Sequence, residues 1–221
     1  MAGPHRYVVI EGVIGVGKTT LVERLARALS ARKVFEEFET NPFLASFYKD
    51  KESFAFSTQV FFLMSRFRQQ ETLAQGELFS ITTLSDYLFD KDRIFALLTL
   101  RADELSLYER LFSVLKVQVP RPDLIIYLKA DLEVVLSRIA ARGRSYEADM
   151  DPEYIRALGE AYSAYFAEYE ACPVITVDTS KVDLRDDERA LARLVELIQT
   201  GGTNAPELSP AGDTLFLPGI D

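Results

Sequence analysis

The chain has 221 residues, 48% of them hydrophobic, enough for one α/β domain with a substantial core. Its formal charge of −9 speaks against a nucleic-acid partner, whose phosphates are met by clustered cations. No apolar run approaches the ~18 residues of a membrane helix, so no membrane partner is expected.

The first apolar run, Tyr7-Val8-Val9-Ile10, predicts a strand over 6–11. It leads into Gly12-Val13-Ile14-Gly15-Val16-Gly17-Lys18-Thr19, a complete G-x-x-x-x-G-K-[ST] phosphate loop that with Thr20 is the candidate nucleotide-binding stretch, and then into a helix over 18–30. The glycines let backbone N–H groups turn onto phosphate oxygens, and the helix N-terminus behind them adds partial positive charge. Lys18 is placed for the outer phosphates and the Thr19 hydroxyl for a magnesium ion. This loop predicts binding of a nucleoside triphosphate.

A second strand is predicted over 33–37, ending in Glu36-Glu37. An acid there could take a proton from an attacking hydroxyl, although adjacent acids at a strand end also fit mere exposure. The helix over 53–75 carries apolar residues on nearly every side from Phe54 to Phe67, which predicts burial. On it Gln59 and Arg66 project within about 20° of each other, flanked by Phe62 and Leu63. A buried guanidinium beside a buried amide needs partners. Two roles fit: a helix-to-helix ion pair in the core, or a pair of base-edge hydrogen-bonders. In the second, Arg66 requires a carboxylate, and Asp92 is the candidate.

A strand over 79–84 is followed by Ser85-Asp86. A carboxylate ending a strand near a phosphate loop faces the magnesium ion, and a helix-capping role is compatible with that. Helices follow over 92–100 and 104–117, then a strand over 123–128 and a helix over 131–142 with Asp131 as its cap. Arg138, Arg142 and Arg144 cluster where Gly143 ends that helix. Three cations without matching acids suit a triphosphate, as they also suit a solvated helix C-terminus favoured by the macrodipole. A helix over 152–171, opened by Asp151 and Pro152, a strand over 174–178 and a helix over 186–199 complete the pattern. The domain is therefore expected over 1–200, with a disordered tail over 201–221 rich in Gly and Pro. Strands alternating with helices predict a parallel sheet covered on both faces, with ligands at the carboxyl ends of its strands. His5 is expected in a frayed terminus, and Cys172 as a small apolar residue near a strand start. One cysteine and an N-terminus without a signal-peptide profile predict a cytoplasmic location.

Taken in order, the segments EGVIGVGKT, EEFETNPFLASFYKD, TQVFFLMSRFRQ, SDYLFDKDRIFA and RIAARGRSYE resemble the deoxynucleoside kinase family, of the bacterial deoxyadenosine/deoxyguanosine type, from about Tyr7 to Ile198. The patterns R-x-x-x-R-G-R-S-x-E and Q-x-x-x-x-x-x-R are more specific to that family than the phosphate loop. The resemblance implies a P-loop nucleoside kinase fold: a five-stranded parallel sheet flanked by helices, with an Arg-rich lid. It implies ATP as phosphate donor with Mg²⁺, a deoxynucleoside acceptor and a homodimer. It also implies roles: Glu36 as general base, Tyr48 and Glu147 on the sugar 3′-hydroxyl, Gln59, Arg66 and Asp92 on the base with Phe95 stacked, Asp86 at the metal, and Arg138, Arg142 and Arg144 in the lid. Two departures stand out. Glu37 follows Glu36 where the family commonly has proline, so the base could be either acid, and Tyr87 stands where an arginine is expected after Asp86. A thymidylate kinase shares the loop, strand-end acid and lid, but its phosphorylated substrate should demand a cation near the acceptor, which Tyr87 does not supply. A non-catalytic subunit of the same fold would have no need for Lys18, Thr19, Asp86 and three lid arginines together.

Overall fold

A computed structural model of the chain describes residues 4–75, 82–144 and 150–202. Five strands form one parallel sheet: β1 (Tyr7–Gly12), β2 (Arg32–Val34), β3 (Thr83–Ser85), β4 (Leu124–Lys129) and β5 (Val174–Asp178). Their order is β2-β3-β1-β4-β5. The central strands β1 and β4 read as near-continuous apolar runs because both faces are covered; Val8, Val9, Ile10, Leu124, Ile125 and Ile126 have no exposed surface.

The covering helices are α1 (Lys18–Leu29), α2 (Leu44–Lys49), α3 (Lys51–Gln75), α4 (Lys91–Thr99), α5 (Ala102–Lys116), α6 (Leu132–Arg142), α7 (Pro152–Ala167) and α8 (Glu188–Thr200). The Asp151 side chain caps α7 by accepting from Glu153 N, with Pro152 in the first turn, as the sequence predicts. Asp131 does not act in that way. Its side chain makes no capping bond, and its backbone N–H donates instead to Ser180 Oγ at 2.7 Å.

Several boundaries differ from expectation for identifiable reasons. β2 stops at Val34 because β3, its one neighbour among the described residues, pairs with it just as far as Ser85. Residues 76–81, which carry half of the strand predicted over 79–84, lie outside the described residues. α7 ends at Ala167, before the chain places Pro173 on the edge of β4, where its carbonyl accepts from Ile125 N. α3 is not buried on all sides. One face (Ala55, Gln59, Leu63, Arg66, Gln70, Leu73) faces the protein, while Met64 is 39% exposed. α2 is absent from the sequence reading. Six residues give no period, and it is held by the turn before it, where Asn41 accepts from Phe43 N and donates to Thr58 O. His5 is not frayed: it is buried and its N–H donates to Ile198 O at 2.8 Å. Gly201 and Gly202 close α8, both N–H groups reaching Leu197 O. Residues 203–221 of the expected tail lie outside the described residues, as does Glu147.

Candidate active site

The register of the sheet brings three chemical groups to one edge. Val9 pairs with Ser85, and Ser85 with Val34, so the chain leaving β1 (the phosphate loop), β3 (Asp86) and β2 (Glu36) emerges side by side. These are carboxyl ends of parallel strands, where such folds hold their ligands.

The loop path depends on glycine at two points. Gly12 has φ of +149°, and a Cβ there would lie 2.3 Å from Leu128 O. Gly15 has φ of +83°, and its Cβ would lie 2.7 Å from Ile139 Cγ1 on α6. The loop turns back over α1, whose N-cap is Gly17. Lys18 Nζ donates to Gly12 O at 2.7 Å and Val13 O at 3.1 Å. Burial, and then the charge of Lys91, bring the Lys18 ammonium down to about 8. An ammonium this destabilised is well suited to an anion. Thr19 Oγ1 donates to Asp86 Oδ2 at 2.9 Å, and Asp86 Oδ1 accepts from Glu36 N at 2.8 Å. The two oxygens predicted to hold magnesium are thus in contact. A hydroxyl and a carboxylate fit an ion that takes its remaining ligands from water and phosphate.

Glu36, not Glu37, faces this edge. Glu37 is exposed, whereas Glu36 lines a cavity of about 410 Å³ that also includes Lys18, Thr19 and Asp86. Its carboxylate is held on both oxygens. Arg66 Nε donates to Oε1 at 3.1 Å, with Nη2 on the same atom, and Lys91 Nζ donates to Oε2 at 2.6 Å. Burial pushes this carboxyl up, but the charges and hydrogen bonds of Arg66 and Lys91 outweigh it and hold it well below the usual carboxylate range. The other end of Arg66 pairs with Asp92, and its guanidinium lies over the Phe62 ring at 4.8 Å. Two carboxylates and two cations therefore balance in a buried cluster, as burial of charge requires.

Arg66 makes the helix-to-helix ion pair that one of the two predicted roles requires, and it does so at the cavity wall. Gln59 and Arg66 line the cavity together, with Tyr48 and Phe95, as their helical spacing predicts. Gln59 Nε2 donates to Thr99 Oγ1 on α4 at 3.3 Å. Asp92 differs from expectation: it is fully buried and stands behind Arg66, outside the cavity wall. Arg138, Arg142 and Arg144 all line the same cavity. Arg138 is tied down, donating to Val16 O, Thr179 Oγ1 and Thr179 O. Arg144 lies over the Phe38 ring at 4.3 Å.

Sequence reasoning misses Lys91 and the wall residues Thr179, Asp183, Leu184 and Arg185. The wall residues had a usable signal, since Thr179 directly follows β5 at the carboxyl edge. Lys91 had only its spacing, one turn before Phe95 on α4.

A sequence profile of the deoxynucleoside kinase family matches residues 8–201. The deoxyadenosine/deoxycytidine kinase of Bacillus subtilis (strain 168) is 32% identical over 198 residues, which is 86% of this chain and 90% of that protein. The deoxyguanosine kinase of the same strain is 35% identical over 205 residues, 87% of this chain and 97% of its own length. In fold the chain resembles deoxyadenosine kinase from M. mycoides solved with bound dATP, with a TM-score of 0.76 at 23% identity, covering 86% of this chain and 99% of that one. The profile spans most of the chain and the relatives are covered along most of their length, so the chain belongs to the deoxynucleoside kinase family.

Proposed function

We propose that this protein transfers the γ-phosphoryl group of ATP to the 5′-hydroxyl of a purine deoxynucleoside. The observation that carries the reading is one cavity lined together by the phosphate loop, by Glu36 and by Gln59, Arg66 and Phe95. The acceptor hydroxyl gives its proton to Glu36 as the new O–P bond forms. The bond from phosphorus to the β-phosphate oxygen breaks, and its electron pair leaves with ADP. In-line transfer of this kind needs positioning and charge neutralisation rather than covalent help. Lys18 and the loop N–H groups hold the donor, Thr19 and Asp86 would hold a Mg²⁺ ion that would supply charge neutralisation, and Arg138, Arg142 and Arg144 serve as the lid. Tyr48 and Glu147 are assigned to the sugar 3′-hydroxyl. Family membership favours a nucleoside over a nucleoside monophosphate as acceptor. An ADP-release assay over a panel of nucleosides and thymidylate tests the reading. Turnover with deoxyadenosine or deoxyguanosine supports it, and turnover with thymidylate alone rejects it.

Base choice follows from the same cluster. An amide and a forked guanidinium can meet the ring nitrogens and exocyclic groups of adenine, guanine and cytosine, while thymine lacks an exocyclic amine and adds a methyl. The expected order is purine deoxynucleosides, then deoxycytidine, with thymidine poor. Asp92 reaches the base through the guanidinium it holds. Removing a buried charged partner leaves Arg66 misdirected, so Asp92→Ala should lower purine kcat/KM roughly tenfold or more and affect thymidine far less. An equal loss for every nucleoside argues against base reading through Arg66.

The family resemblance also implies a homodimer, and α5 offers a face for one. Leu107, Leu111 and Val114 repeat at helical spacing and are 50%, 38% and 66% exposed. In sedimentation, the double variant Leu111→Glu, Val114→Glu should run as a monomer where the wild type runs as a dimer. A dimer that survives both charges excludes this face.

A further inference from the structure

We propose that Lys91 is the positioning cation of the transfer site, orienting Glu36 and standing with Lys18 around the phosphoryl group in flight. The inference rests on reading the cavity as the active site, and it assigns a role to a residue that none of the loop, lid or base-reading patterns contains. Lys91 opens α4, is 5% exposed, and lines the cavity. A lysine is rarely so buried without a partner, and here the partner is Glu36 Oε2 at 2.6 Å.

The two cations on Glu36 are not equivalent. Arg66 is fixed from behind by Asp92 and by the Phe62 ring, so it is committed to the base end of the cavity. Among the described residues Lys91 makes no second ion pair with a carboxylate, and its charge is felt at Lys18 more strongly than that of Glu11, Glu36 or Asp86. Two ammonium groups that repel each other across a partly enclosed space favour an anion between them. The position directly after Asp86 supplies no such charge. Tyr87 has no exposed surface, and its hydroxyl accepts from Gln70 Nε2 at 3.1 Å in the core. Lys91 brings a cation to the cavity from the next helix instead.

Lys91→Met, Lys91→Gln and Lys91→Arg, assayed with deoxyadenosine and ATP beside the wild type, test the idea. Methionine keeps length without charge, glutamine keeps a donor without charge, and arginine keeps both. The expected result is a fall in kcat of about 10- to 10²-fold for the first two, with the KM for deoxyadenosine changed less than about threefold. Lys91→Arg should recover most of the loss. Melting temperatures and the amplitude of deoxyadenosine binding give the folded fraction of each variant, and rates are taken per folded molecule. Normal kcat in Lys91→Met or Lys91→Gln, a loss confined to KM, or a Lys91→Arg enzyme no better than the uncharged variants overturns the proposal. A wild-type enzyme that phosphorylates no nucleoside overturns the functional reading itself, which separates the two failures.

Discussion

Glu36→Gln should lower turnover by on the order of 10²- to 10⁴-fold while nucleoside binding is largely kept, the pattern of a lost general base. Glutamine preserves the outline of the side chain, but its single amide oxygen can accept from only one of Arg66 and Lys91, and it cannot take up the hydroxyl proton. Glu37→Gln is the matched control. That side chain is exposed and outside the cavity wall, so its turnover should stay near that of the wild type. The substitution also removes one of the two carboxylates that balance Arg66 and Lys91, and breaking a buried pair is costly to the fold. A lower melting temperature is therefore expected together with the lower rate. The two effects separate when kcat is normalised to the molecules that still bind deoxyadenosine. If the normalised rate recovers to that of the wild type, Glu36 is a structural ion-pair partner and the base lies elsewhere. If Glu37→Gln gives the large loss, the assignment is off by one residue.

What the sequence makes legible here is what local chemistry decides. The phosphate loop is written in consecutive residues: Gly12 must pass under Leu128 O and Gly15 against Ile139, and no other residue type does both at positive φ. β1, β4 and β5 are long and apolar enough to be placed within about a residue. β2 and β3 are three residues each, and their lengths are set by pairing with each other rather than by any pattern of their own. The site divides in the same way. The contacts of Thr19 with Asp86 and of Arg66 with Asp92 follow from strand ends and helical phase, and the structure contains both. That Glu36 is the second carboxylate on Arg66 does not follow, because it depends on how the chain turns after an edge strand to meet a helix 30 residues later. Lys91 is hidden for a different reason. A lysine in the first turn of a short helix reads as a solvated charge, and only the packing of α4 against α3 and α7 makes it a buried one. Asp131 errs in the other direction. It occupies a capping position in sequence, yet tertiary contact with Ser180 takes its backbone and leaves the side chain uncommitted to the helix.

The phosphate loop gives the last and most direct test, Lys18→Ala. Lys18 lies on the carbonyls of Gly12 and Val13, and burial with the nearby Lys91 charge has brought it down to about 8. Keeping that ammonium charged in the absence of phosphate is unfavourable, so its loss should leave the melting temperature of the ligand-free protein nearly unchanged or slightly raised. The backbone of the loop is fixed by its glycines and by α1, neither of which needs the side chain. The loss should appear when the donor is present. Losing one preorganised charge at the transferring phosphates costs at least about 10²-fold in turnover. It should also cancel much of the stabilisation that ATP with Mg²⁺ gives the wild type, because that stabilisation grows only with the ratio of ligand concentration to Kd. Melting curves with and without ATP and Mg²⁺, run beside the rate assay, read both effects. A variant with near-normal turnover and the full ATP-dependent rise would mean that Lys18 does not hold the donor phosphates, and the proposed transfer chemistry would fail with it.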